Sequence, residues 1–382
     1  MTTTEVVRPE LAEISPPSRI AEEGEGVGLD EVGLAARNHG MPLELMQHDV
    51  TPVGAHYLLT RYDIPLADAA TWQLDVTGSV ARPTALSIAD LRSREEVSRT
   101  VTLECAGNGR ARLSPRPVSQ PWLHEAVGTM TWTGTPLAGV LADARPGDAA
   151  VDVVFTGADH GVEKGTEQDY QRSLTLEEAL DPEVLLVWAC NGVELPPQHG
   201  YPLRLLVSGW YGMASVKWLR SVEVVDQHFD GYQMRAYSLR QSPQEAGERL
   251  TRIAPRALAQ PPGFPDYLSR RRVVRPGRDV LRGRAWSGWG EIVTVEVTVD
   301  GGRSWQAAEL GPQPDPRAWV AWWMPWTAVE GRYVVSARAT DSSGRTQPTE
   351  PMWNRGGFAN TTPQAIDVLV VAADSADGGK RS

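Results

Sequence analysis

The sequence predicts an α+β chain in which a mixed strand-and-helix domain precedes an all-β sandwich, and three features predict it. Between about 72 and 225, short apolar strand patterns alternate with short helical ones. Residues 241–266 are rich in Pro, Gln and Ala and read as a linker. Beyond about 272 come repeated short strands with turn signals, the pattern of an immunoglobulin-like sandwich. The expected divisions are an acidic arm over 1–30, a mixed domain over 31–250 and a sandwich over 265–375.

Composition narrows what such a chain can do. At 382 residues with 41% apolar and 22% charged content, it has room for two sizeable cores. No run of 18 apolar residues occurs, so no membrane span is expected. A net charge of -11 argues against nucleic acid as a partner, because neutralising phosphates requires a basic face. The start, Met1 to Glu10, has neither a basic nor an apolar leader region, so a cytoplasmic location is the expectation. Two cysteines, Cys105 and Cys190, do not make a disulfide framework.

Taken in order, residues 1–30 carry seven acidic and two basic residues with three prolines, a mobile or loosely draped arm. Trp72 to Gly78 alternates like a strand, and Pro83 to Leu91 reads as a turn and a short helix. Val97, Arg99, Val101 and Leu103 alternate with Ser98, Thr100 and Thr102, a half-buried strand that places Cys105 where Gly107-Asn108-Gly109 breaks it. A thiolate there would be steadied by Arg110 and backbone N–H groups, although a lone cysteine is more often a small core residue. Leu137 to Leu141 is a short helix, and Val151 to Phe155 a buried strand running into Asp159. Leu174 to Leu180 reads as helix, stopped by Asp181-Pro182, and Leu185 to Ala189 as a buried strand. Asn191-Gly192 signals a hairpin, and the proline-bounded loop after it fixes where His199 and Arg204 point. Arg204 offers a planar fork suited to a phosphate. Seven arginines between Arg270 and Arg284 read as an interdomain or dimer-contacting face. Glu291 to Val299 runs into the turn Asp300-Gly301-Gly302, and further strands are expected at 318–324, 332–340 and 366–371.

Leu103-x-Cys105-Ala106-Gly107-Asn108-x-Arg110 resembles the molybdenum-ligating segment of the sulfite oxidase family. His199-Gly200-Tyr201-Pro202-Leu203-Arg204, Ser215-Val216-Lys217-Trp218 and Arg37-Asn38-His39 resemble further segments of that family, in order, over roughly 35–372. The resemblance implies a molybdopterin-binding domain followed by a dimerisation sandwich, with Cys105 as the metal ligand. It implies cofactor contacts from Arg37, Asn38, His39, Asp159, His199, Arg204, Ser215, Val216 and Lys217. Around a small anion such as sulfite it implies Arg110, Arg37, Trp122, Tyr237 and Arg355. Arg355 rests on Trp353-Asn354-Arg355-Gly356-Gly357, which lacks one residue of the family's closing element; the nitrate-reducing branch carries methionine at the arginine position. Ala236 stands where the animal enzymes have aspartate. The implied reaction passes two electrons from sulfite to an external acceptor, in a homodimer and without haem in this chain. Reduction of nitrate or an S-oxide, or a non-catalytic binding protein on a degenerate enzyme fold, are the alternatives.

Overall fold

The computed structural model describes residues 10–11 and 18–372. Two five-stranded sheets build the first part. One runs Thr84–Ser87, Gln73–Gly78, Leu219–Val225, Asp152–Glu163, Thr166–Thr175. The other runs Val97–Glu104, Val127–Pro136, Val184–Cys190, Val193–Glu194, with Arg204–Val207 also paired to Val184–Cys190. Helix Leu137–Ala144 buries Leu137, Val140, Leu141 and Ala144, the one-face spacing of a core-facing helix. The hairpin expected at Asn191-Gly192 forms, with φ of 49° and 77° at its two turn residues.

The C-terminal part is a sandwich. A four-stranded sheet runs Arg256–Ala259, Gly277–Trp286, Val320–Ala328, Glu309–Leu310. A six-stranded one runs Phe264–Pro265, Arg272–Val274, Ile366–Val370, Gly331–Asp341, Ile292–Thr298, Gln306–Ala307. Its core holds Val295, Val297, Trp322, Ala337 and Val368 between the sheets. The hairpin at Asp300-Gly301-Gly302 is present, with Asp300 accepting from the Arg303 and Ser304 N–H groups.

Two local expectations are corrected, and the interdomain reading of the arginine run holds for two of its members. The stretch 241–266 is not a plain linker: Arg256–Ala259 is a fully buried edge strand, and Leu250, Ile253 and Leu258 join the first domain's core. The helix expected over Leu174 to Leu180 is only Leu176–Ala179, because Leu174 still pairs with Val153 and Thr175 caps the helix through Glu178 N–H. Strand Gly277–Trp286 lies inside the arginine run. There Arg284 is buried, donating to Met46 O at 2.7 Å and pairing with Asp49 at 2.8 Å, while Arg272 reaches Glu44. These arginines join the two parts of this chain.

Of the expected arm, residues 1–9 and 12–17 lie outside the described residues. The described piece from Ser18 is held down: Ala21 N–H donates to Arg116 O, Val118 N–H to Arg19 O, and Arg19 pairs with Glu25.

Candidate active site

Strand Val97–Glu104 ends as the alternation requires, with Val101, Leu103 and Cys105 in one apolar cluster with Trp132 and Leu206. The chain then turns tightly. Asn108 N–H donates to Cys105 O and Arg110 N–H to Gly107 O, and Gly109 sits at φ 88°. A Cβ on Gly107 would lie 2.6 Å from the Arg110 guanidinium, so only glycine lets that side chain fold back over the turn.

The turn is braced from behind. Glu104 and Arg256, 2% and 1% exposed, form a buried ion pair at 2.6 Å. Trp286 Nε1 and Asn108 Nδ2 also donate to Glu104, and Arg256 donates to Asn360 O. Asn360 Nδ2 in turn donates to Gly109 O, and Ala359 N–H to Ala106 O. The C-terminal part therefore closes the loop that presents Cys105.

Cys105 lines two chambers. The inner one, about 740 Å³ counted to its open mouth, is walled by His199, Arg204, Ser215, Lys217, Asp159, His56 and Met213. Arg204 donates to His199 O at 3.0 Å and Ser215 O at 3.2 Å and lies over Trp132. Lys217 Nζ donates to Leu59 O and Gln198 O. Among the described residues neither cation has a carboxylate within ion-pair distance, and Arg204 Nε has no acceptor. Burial pulls Arg204 down to about 10, Lys217 to about 7 and His199 to about 2, with neighbouring positive groups adding to the fall at Lys217 and His199. Asp159 is turned inward by a bulge between the Thr156–Gln171 and His160–Asp169 pairs. Burial raises Asp159 to about 6, against the pull of Lys217. A buried arginine and a half-buried lysine whose hydrogen bonds go only to carbonyls make a seat for an anionic group.

The outer chamber, about 1270 Å³, is lined by Arg110, Trp122, Tyr237, Arg355 and Phe358 among others. Arg110 donates through Nε to Gly356 O at 2.9 Å and through a terminal N–H to Gln120 O, with Phe358 under its guanidinium. The steadied Cys105 thiolate expected from sequence is corrected. Burial pushes the thiol above its ordinary value, and the opposing pull of Arg110, Gly107 N–H and the Trp122 indole is smaller. Arg110 spends its donors on carbonyls rather than on the sulfur. Tyr237 is also raised by burial, so it stands as a neutral phenol at neutral pH.

The remaining expected residues fall differently. Val216 is fully buried, and its carbonyl accepts from Leu205 N–H. Arg37 lines neither chamber; its guanidinium donates to Tyr62 O and approaches Asp63. Asn38 Oδ1 accepts from Thr60 N–H, and Asn38 Nδ2 donates to Gln120. His39 is exposed and exchanges backbone hydrogen bonds with Leu58. Arg37 and Asn38 thus grip the residues on either side of Arg61, which sequence reasoning missed. Arg61 lines both chambers, lies over the Tyr237 ring and donates to its hydroxyl at 3.4 Å. A charged residue two positions after the apolar run Tyr57-Leu58-Leu59 is the local signal for it.

Comparison with known proteins agrees with this geometry. The Oxidoreductase molybdopterin binding domain matches residues 61–233, and the Mo-co oxidoreductase dimerisation domain matches 269–368. Sulfite oxidase of Gallus gallus is 35% identical over 351 residues, covering 84% of this chain and 73% of that protein. Nitrate reductase [NADH] 1 of Arabidopsis thaliana is 32% identical over 357 residues, 85% of this chain but 39% of the relative's length. In structure, the sulfane dehydrogenase SoxCD of Paracoccus pantotrophus superposes with a TM-score of 0.77 at 22% identity, over 97% of this chain and 94% of that one. A molybdopterin, with a soft sulfur-bound metal at one end and a phosphate at the other, fits a cavity with a thiol at its mouth and, in its wall, Lys217 and a buried Arg204 whose Nε has no acceptor. The chain belongs to the sulfite oxidase family of molybdopterin-dependent oxidoreductases.

Proposed function

We propose that the chain oxidises sulfite to sulfate and passes two electrons to an external acceptor. The observation that carries this reading is the placement of Cys105 at the junction of a cation-walled inner cavity and an arginine-rich outer one. The 35% identity to a sulfite oxidase over 84% of this chain supports it, against 32% over 85% for a nitrate reductase.

Arg204 and Lys217 would hold the cofactor's phosphate end, with Ser215, His199 and Asp159 along the same wall. Cys105 would supply the thiolate ligand. Bound there, the cofactor supplies the two-electron oxygen-atom transfer. The protein's part is to bring the anion up against a net charge of -11. Arg110, Arg61 and Arg355 give the outer chamber its local positive field. The Tyr237 phenol donates a hydrogen bond, and Trp122 walls the chamber from water. Arg37 and Asn38 act through Arg61, by fixing Tyr62 and Thr60. The dimerisation domain supports a homodimer.

Turnover of sulfite with ferricyanide, compared with turnover of nitrate or methionine sulfoxide with reduced viologen, tests the reading. Sulfite should be oxidised at the highest kcat/KM, in protein carrying close to one molybdenum per chain. Nitrate reduction that outpaces sulfite oxidation would overturn it in favour of the second reading, which the 32% identity to nitrate reductases supports.

A further inference from the structure

Each chamber holds a carboxylate, Asp159 in the inner and Glu163 in the outer, but of the two only Glu163 sits within ion-pair distance of a lining arginine. Strands Asp152–Glu163 and Thr166–Thr175 form a long hairpin whose turn, Lys164-Gly165, has φ of 50° and 75°. Its last strand residue, Glu163, reaches into the chamber beside Arg61. Glu163 Oε2 lies 3.1 Å from Arg61 Nε, and Oε1 accepts from a terminal N–H of Arg61 at 3.3 Å. One oxygen hydrogen-bonds and the other lies in charge contact along one edge of the guanidinium, the edge a bidentate oxyanion would use. Arg61 Nε and Glu163 Oε2 make no hydrogen bond, to each other or to any other described residue, so that part of the edge is held by charge contact alone. The side chains of the pair are each 24% exposed, and displacing the carboxylate into solvent is open to it.

Resting on the assignment of the outer chamber to an anionic substrate, we infer that Glu163 is a built-in competitor, an internal oxyanion that occupies Arg61 until a substrate anion displaces it. The carboxylate adds a like charge within a few ångströms of where the anion would sit, and an exchange of ion pairs replaces a simple gain of one. The consequence is selectivity by charge. An anion that engages Arg61 more strongly than a carboxylate does gains entry, and weakly charged anions are held off. Glu163 touches the binding arginine and not the reacting atoms, so it sets specificity rather than the chemical step.

The test is Glu163→Gln in the full-length chain. The amide keeps the shape and one acceptor but removes the charge. KM for sulfite should fall roughly three- to tenfold, the scale of one nearby, partly screened charge, with kcat changing less. Sulfate, titrated calorimetrically into the same protein with and without molybdenum, should bind more tightly by a similar factor. Glu163→Asp, one methylene shorter, should give an intermediate value for both. The sign separates this from general damage, which weakens binding. Sulfate affinity unchanged or weakened in a folded Glu163→Gln protein would overturn the inference. If the parent fails to oxidise sulfite while Glu163→Gln tightens sulfate, the substrate reading falls and the competitor stands; sulfite turnover with unchanged KM and sulfate affinity does the reverse.

Discussion

The inner and outer chambers meet at Cys105 but are built by different means. The inner wall is made by consecutive pieces of a sheet and its loops: Arg204 opens strand Arg204–Val207, and Ser215 and Lys217 follow one short turn later. The cations there have carbonyl partners only. The outer wall is assembled from segments hundreds of residues apart, from Arg61 through Arg110 and Tyr237 to Phe358; Arg110, like Arg204, has carbonyl and aromatic partners, but Arg61 is already paired with a carboxylate. The difference teaches that a permanent guest is met by unanswered charge, and a transient one by charge that already has a partner. A resident cofactor repays once the cost of a buried and a half-buried cation without carboxylate partners, whereas a substrate site must release its product.

The comparison breaks most visibly at the junction. Cys105→Ser should leave folding and pterin content largely intact yet lower turnover on the order of 1000-fold or more, because a hard hydroxyl replaces a soft thiolate. Serine protein that oxidises sulfite like the parent would remove Cys105 from the site.

Deeper in, Arg204→Met should cut retained pterin and molybdenum by ~10²-fold or more, the scale for losing a buried charged contact. The same variant should melt no lower than the parent when both lack the cofactor, since an unpaired buried cation has been removed. Metal analysis and melting curves on one preparation read both halves.

In the outer chamber, Arg110→Gln should cost roughly 2–4 kcal/mol in kcat/KM, with part of the loss in KM. Rising ionic strength should lower the parent's kcat/KM in the same direction. Full activity of the glutamine variant at low salt would show that the anion is held elsewhere.

The inner cations also leave a trace in stability without cofactor. Lys217 binds its proton near 7 in the folded protein and at 10.5 as an ordinary lysine. Between those values the unfolded chain carries more protons, so stability should rise with pH, at up to ~1.4 kcal/mol per unit. Asp159 works oppositely: raised from 3.8 to about 6, it makes stability fall as pH climbs through that window. Melting temperature against pH should show both limbs, and Lys217→Met should flatten the upper one. The smallest effect belongs to Cys190, fully buried at the end of strand Val184–Cys190 and outside both chambers. Cys190→Ala should cost ~1 kcal/mol and leave activity alone; a selective loss of turnover without loss of melting temperature would assign it a role in the site.

Legibility in the sequence followed the same division. The Cys105 turn and the 199–217 wall could be read because each is a contiguous run in which strand period, glycines and a fork-bearing arginine act together. Strand Gly277–Trp286 could not, because Arg278, Arg282 and Arg284 break the apolar alternation, and Arg284 finds its answer in Met46 O and Asp49. Arg256–Ala259 hid in a linker-like composition because its pairing partner begins 18 residues later, at Gly277. Arg61 and Glu163 carry no motif at all; only tertiary closure makes them neighbours. Arg37 and Asn38 were read as direct contacts, and the structure shows them gripping the residues beside Arg61.

The brace behind the cysteine has a consequence for how the protein is made. Glu104 is answered by Arg256 and Trp286, Gly109 by Asn360, and Ala106 by Ala359. On the ribosome, the segment carrying Cys105 emerges about 250 residues before the last of these partners. Arg256 answers the carboxylate about 150 residues after Cys105, but the turn's further anchors, Ala359 and Asn360, come last. A chain ending before Ala359 should therefore retain less molybdenum than the parent, as metal analysis would read.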